Sequence, residues 1–322
     1  MVKEGVQVLK KLFLAALIAL ALVGTVSAQG KVYKVAFVAR AQADSFAAWL
    51  TNSIVEEAKK YKNIDLKVFD GQANDDTENS LIENAITNKF DVIIIQPNNG
   101  ESQRPYAVKV IQAGIFLITT NARIAGIAGA SSVDADPYEQ AAVNARQAIK
   151  QVPQNAKVVV LDGPPGNFHA DSRRVSWQNE FFSKRPDVKI VGEQIAHWNK
   201  DEAMNYMEDW VQANPKIDAI ISMNDNMAAG AIEVIKDKPA YKNILSYGVD
   251  GTAEAVLLIK QGLMTSTCLQ SAYALATKIL DTTNKLVTGK AGQINVDIDA
   301  PLVTKANVDQ YIAMHKKAGA IK

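Results

Sequence analysis

The sequence predicts an α/β protein built from two doubly wound, Rossmann-like parallel-sheet lobes. Three observations carry this. Short apolar runs alternate with segments of helical spacing, and repeated β-α units imply parallel strands joined by right-handed crossovers. Most of the runs are near-continuous rather than alternating, as in strands covered on both faces. The pattern then restarts near residue 137, giving two halves of similar size, and 322 residues are enough for two cores.

In order, residues 32–38 read as a buried strand and 44–60 follow with helical spacing. Residues 65–69 are strand, 75–88 helix, 91–95 strand, 101–113 helix and 115–119 strand. In the second half, 137–151 is helix, 158–161 strand, 171–183 helix and 189–195 strand. Segments 201–213, 219–222, 226–236 and 245–248 continue the alternation. Residues 265–269 form the last strand before a long helix at 271–287. No low-complexity linker separates the halves, so ordered crossovers should join them.

The first 28 residues read as a cleavable leader rather than part of the fold. Lys3, Lys10 and Lys11 precede an apolar run from Leu12 to Val23, and Val26-Ser27-Ala28 supplies small residues before a cut after about Ala28. The run is short for a membrane anchor, which needs about 20 apolar residues, and no lipidation cysteine follows it. The whole chain has 35 basic and 34 acidic residues and a net charge of +1, and the leader carries +2 of it, leaving the mature chain slightly acidic. That balance gives no electrostatic reason to expect a nucleic-acid partner. Cys268 is the sole cysteine, which excludes an intrachain disulfide and a multi-thiolate zinc site.

Ligands of doubly wound sheets sit beyond the carboxyl ends of the strands. The residues there are Asp44 and Phe46 after the first strand and Asn121 after the fourth. The second half adds the turn from Asp162 to His169, with Asn167 and His169 in it, then Arg173, Trp198, Asn224, Asp250 and Gln270. Each sugar hydroxyl both donates and accepts, so it asks for a carboxylate on one side and an amide or Arg on the other. Phe46 and Trp198 supply rings for an apolar sugar face. Each residue also has a structural reading. Asp44 and Asp225 fit helix N-caps, Phe46 and Trp198 fit core positions, Asn224 fits a turn, and Arg173 fits a surface pair with Asp171. The coincidence of so many at one end of successive strands favours a binding site.

With these residues laid out, the chain resembles the type I periplasmic binding proteins of the monosaccharide group, the galactose/glucose and ribose binders, over essentially all of the mature length. The segment Ser222 to Ala231 resembles the family's N-D-x-M-A-x-G-A stretch, and Tyr247 to Gly251 its G-x-D-G turn. On this resemblance Asp44 and Phe46 match the polar-plus-aromatic start of the first helix. Asn121 stands where galactose binders keep Asn, Gly163 through Arg173 keeps the galactose-type spacing, and Trp198 matches a stacking aromatic. Asn224 and Asp250 match ligand positions, and Gln270 falls where ribose binders use Gln. Asn167 and His169 depart from the usual His and Asp. The segment around Lys150 to Pro153 lacks the carboxylates of a calcium loop, so no metal and no cofactor are implied.

The resemblance implies a three-segment hinge near 134–135, 270–271 and 299–300. The lobes are then 29–134 with 271–299, and 135–270 with 300–322. It implies a monomeric periplasmic protein that captures a monosaccharide, hexopyranose favoured, and delivers it to a membrane ABC-type permease, or serves a chemoreceptor. A cyclic polyol such as inositol, a pentose or a signalling furanose makes similar demands on the same side chains. Nucleophile-elbow, P-loop, zincin and dinucleotide motifs are absent. An enzyme would need Asp44 and Asp250 to pair as acid and base, or His169 and His197 to meet. A sugar-responsive repressor would need a helix-turn-helix where the leader stands.

Overall fold

The computed structural model describes residues 30–322; the leader read at 1–28 lies outside them. In the first lobe β1 (Tyr33–Ala39), β2 (Ile64–Asp70), β3 (Val92–Ile95), β4 (Phe116–Thr120) and β5 (Ser131–Ala135) alternate with α1 (Ser45–Ala58), α2 (Asp75–Thr87) and α3 (Gly100–Gln112). The second lobe holds α4 (Pro137–Gln151), β6 (Lys157–Asp162), α5 (Phe168–Glu180), β7 (Lys189–Ile195), α6 (Lys200–Ala213), β8 (Ala219–Ser222), α7 (Asp225–Ile235), β9 (Leu245–Asp250), α8 (Ala253–Gln261) and β10 (Ser266–Leu269). Then come α9 (Ala272–Val287), β11 (Asn295–Ile298), β12 (Leu302–Thr304) and α10 (Val308–Lys317).

The strands form two six-stranded sheets, ordered β11-β5-β4-β3-β1-β2 and β12-β10-β9-β8-β6-β7. Pairing is parallel except at β12, which runs antiparallel to β10. The chain therefore passes between sheets three times, after Ala135, between Leu269 and α9, and between Ile298 and Leu302. Helix α9 returns to pack on α1 and β4, and α10 packs on α8.

The buried strands explain their own apolar runs. Along β1, Val35 and Phe37 enter one core with Leu50, Ile54 and Leu275, while Ala36 and Val38 enter the opposite core with Ile82 and Val110. Both faces are covered, so neither can be polar. Strand β6 likewise buries Val158 through Leu161 completely.

The starts of α5 and α7 correct the sequence reading. The helix placed at 171–183 begins at Phe168, because the Asn167 carboxamide oxygen accepts from the backbone N–H of His169 (3.0 Å) and Ala170 (3.3 Å). Asp225, read as a cap, is the first residue of α7; Asn224 caps that helix by accepting from the Met227 N–H at 2.9 Å. Strand β5 escaped the apolar scan because its sequence is Ser-Ser-Val-Asp-Ala, although every residue of it is buried.

Candidate functional site

In each sheet the strand order reverses at the lobe's first strand: β1 lies between β2 and β3, and β6 between β7 and β8. Such switch points open a crevice at the carboxyl ends of the strands. The two crevices face each other across a cavity of about 260 Å³, counting its mouth. The first lobe lines it with Arg40, Phe46 and Asn121. The second lobe lines it with Asn167, His169, Arg173, Trp198, Asn224 and Asp250. Eight of these were read from the sequence. Arg40 was not, although it follows directly on the apolar run of β1, where the strand-end rule applies. Asp44 and Gln270 stand behind the wall.

Arg173 is the hub of the second-lobe side. It is 2 % exposed, so the surface pair with Asp171 is not formed. Its Nε and Nη2 donate to the Gln140 Oε1 (3.1 and 2.7 Å), and Nη1 donates to the Met223 carbonyl (2.8 Å). Nη2 also lies 3.8 Å from an Asp250 carboxylate oxygen. Gln140 donates onward to Gln270 (2.7 Å), which reaches Asp250 at 3.4 Å. Gln270 thus closes a ring that orients Asp250 and Arg173 from behind. Burial pushes the Asp250 carboxyl well above the usual range, while Arg173 pulls it back.

His169 has a fixed tautomer. Arg173 Nη2, which can only donate, lies 3.1 Å from its Nδ1, so Nδ1 accepts. Nε2 then carries the hydrogen and donates to Asp134 Oδ1 at 2.9 Å. Burial also lowers the ring's proton affinity, against the pull of Asp134. His197 does not meet His169; it is exposed and pairs with Glu202 at 2.8 Å.

On the first-lobe side, Asp44 caps α1 by accepting from the Ala47 N–H (2.7 Å) and with the same oxygen holds Arg40 at 3.1 Å. Capping and site support are therefore one role. Gln96 accepts from the Arg40 backbone N–H (3.2 Å) and donates to the Asn121 side chain (2.7 Å). Phe46 and Trp198 are 2 % and 4 % exposed, so each is both core and cavity wall. Trp198 packs against Gly163 of the β6–α5 loop, with the Arg40 and Arg173 guanidiniums 5.8 and 5.7 Å from its ring. A Cβ at Gly163 would press into the Trp198 ring, 2.8 Å from Cε2.

The lobes also touch at the rim. Gly100 N–H donates to the Gly166 carbonyl (3.1 Å), and Asn167 donates to the carbonyls of Pro97 (3.2 Å) and Asn98 (3.0 Å). Three cavity residues hold left-handed backbone: Asn121 (φ 49°), Trp198 (φ 63°) and Asp250 (φ 126°). Backbone of this kind costs about 1–3 kcal/mol per residue and gathers at ligand sites. Asp225 steadies the turn after Asp250, accepting from the Thr252 N–H (2.9 Å) and the Thr267 hydroxyl (2.6 Å). Asp134, Gln140, Gln96 and Asp225 were not singled out as site residues in the sequence, because only the tertiary fold brings them behind the cavity wall.

This architecture has well-matched relatives. The xylitol-binding protein of Mycolicibacterium smegmatis is 28% identical over 255 residues, covering 79% of this chain and 72% of that protein. An ABC-transporter periplasmic solute-binding protein from Actinobacillus succinogenes, solved with bound D-allose, is 26% identical with a TM-score of 0.79, over 87% of this chain and 100% of that one. The myo-inositol-binding protein of Caulobacter, bound to myo-inositol, shares the fold with a TM-score of 0.83 at 24% identity, over 90% of this chain and 100% of that one. The periplasmic binding protein domain matches residues 35–291, spanning strands of both sheets, and the chain belongs to that family, among the type I periplasmic binding proteins.

Proposed function

We propose that this protein is an exported solute-binding protein that captures one small polyhydroxylated molecule between its lobes and delivers it to an ABC-type permease. The observation that carries the reading is the composition of the cavity: Arg40, Arg173 and Asp250, three Asn side chains, and rings at Phe46 and Trp198, drawn from both lobes. Carboxylate and amide or guanidinium groups serve both halves of a hydroxyl. The rings serve a C–H face. Ligand contacts to both lobes favour the closed arrangement over the open one, and that differential affinity drives closure.

A hexopyranose is the favoured ligand, from the galactose-type spacing of Gly163 to Arg173. The D-allose-bound structure, whose ligand is a hexose, supports that reading, and the xylitol-binding relative supports a second one, a pentitol or related polyol in the same cavity. A thermal-shift screen of residues 29–322 against monosaccharides, inositols and pentitols, after refolding to strip bound solute, tests both. A ligand at 100 times its Kd stabilises by about 2.7 kcal/mol. A shift with one hexose or polyol supports the reading and names the ligand; no shift with any of them ends it.

A further inference from the structure

We propose that Asp134, His169 and Arg173 form an acid-releasable latch across the cleft, so that ligand is held at neutral pH and let go on acidification. The latch rests on the reading above, that ligand is taken up between the lobes. Asp134 belongs to β5 of the first lobe and sits one residue before the chain crosses to the second. His169 and Arg173 lie one turn apart on α5 of the second lobe. All three side chains are buried, at 0, 2 and 2 % exposure. The Asp134–His169 hydrogen bond of 2.9 Å therefore ties the first lobe to the second.

The other partners leave the closed ring no room for a second proton. A hydrogen on Nδ1 would point at Arg173 Nη2, a donor 3.1 Å away. Arg173 cannot turn aside, because Gln140 and the Met223 carbonyl fasten its other nitrogens. The charged groups that face His169 are Asp134 from β5, Arg123 from the segment after β4, and Arg173 from its own helix, with Asp250 at the end of β9 behind Arg173. Of these, Asp134 favours a charged ring; burial and the two arginines oppose it. When the lobes part, the ring loses Asp134, meets water and returns to the ordinary range of about 6.5. The open form thus binds the proton better, and acid pulls the equilibrium toward opening. The rim contacts of Gly100, Gly166 and Asn167 are backbone and amide bonds, which do not titrate. The other histidine near a lobe contact is His315, which lies against Trp49 and faces the Gly251 carbonyl.

Calorimetry with D-allose and with xylitol, from pH 5.5 to 7.5, tests the latch. One proton released on closure weakens binding about tenfold at pH 5.5 relative to 7.5. In His169→Gln, whose amide keeps a donor and an acceptor but does not titrate, the ratio of Kd between the two pH values should approach one, whatever the affinity. A flat wild-type profile, or an acid loss that survives His169→Gln, overturns the proposal; the second outcome moves the effect to His315 or the buried carboxylates. If neither compound binds at any pH, the solute reading fails for these compounds, and a ¹⁵N NMR titration of the protein alone still decides the latch. A His169 ring that takes up its second proton near pH ~6.5 supports it; a ring still neutral at pH 5 overturns it.

Discussion

Gly163→Ala should weaken ligand binding by moving a ring the mutation does not replace. Gly163 follows β6, and its φ is outside the left-handed region, so alanine meets no backbone penalty. Its new Cβ would press into the Cη2 and Cζ2 edge of Trp198, with Cε2 at 2.8 Å. Trp198 cannot retreat as a unit, because Asn226 donates to its carbonyl at 2.7 Å. The ring must tilt toward the cavity and the Arg40 and Arg173 guanidiniums. Overpacking of this kind costs about 1–3 kcal/mol. Expressed in the closed bound state, that is roughly a 5- to 150-fold rise in Kd. Calorimetry with the screened ligand measures it, and thermal melts separate binding loss from unfolding. Trp198→Phe removes the offending edge, so the cost of Gly163→Ala should shrink in that background, with a coupling energy of about 0.5–3 kcal/mol. The reasoning fails if Gly163→Ala binds within about 0.5 kcal/mol of wild type, or costs the same in both backgrounds.

Two further perturbations test the polar network. Arg173→Met orphans Gln140, the Met223 carbonyl and Asp250 together; at roughly 1–3 kcal/mol per buried partner left unpaired, binding should fall at least a hundredfold and the melting temperature should drop, whereas near-wild-type affinity would remove Arg173 from the site. Burial raises the Asp225 carboxyl to about 7, against the bonds from Thr267 and Thr252, so its favourable contribution is fully present below an unfolded value of about 3.9 and is lost as pH rises through 7. Asp225→Asn cannot ionise, and its stability relative to wild type should therefore improve between pH 5 and 8, on the order of 2–4 kcal/mol; a difference in melting temperature that ignores pH would contradict this.

The fold was legible where physics writes it in local sequence. A strand covered on both faces must be apolar throughout, and β1, β3 and β6 read accordingly. Strand β5 sits as deep but is made of Ser, Val, Asp and Ala, since its polar side chains serve the site and the sheet edge. Strands β11 and β12 are short and half-exposed, which leaves no run to find. Among the site residues, those directly after a strand were readable from position alone, and Arg40 would have been found by the same rule. Asp134 and Gln140 were not readable, because one lies inside an unrecognised strand and the other on a helix whose inward face only the tertiary packing defines. The left-handed backbone at Trp198 and Asp250 likewise has no mark in the residue types, which are not glycine or asparagine.

On the proposed function, one cavity between the lobes holds the solute. A crystal structure of residues 29–322 with the strongest compound from the thermal screen puts this to the test. The expected density is one polyhydroxylated molecule against Trp198 and Phe46, with hydroxyls on Arg173 and Asp250 and both lobes in contact. Density elsewhere, as in the outer groove between α1, α9 and α10 lined by Trp49, Tyr273 and Met314, with the interlobe cavity unchanged, would contradict it.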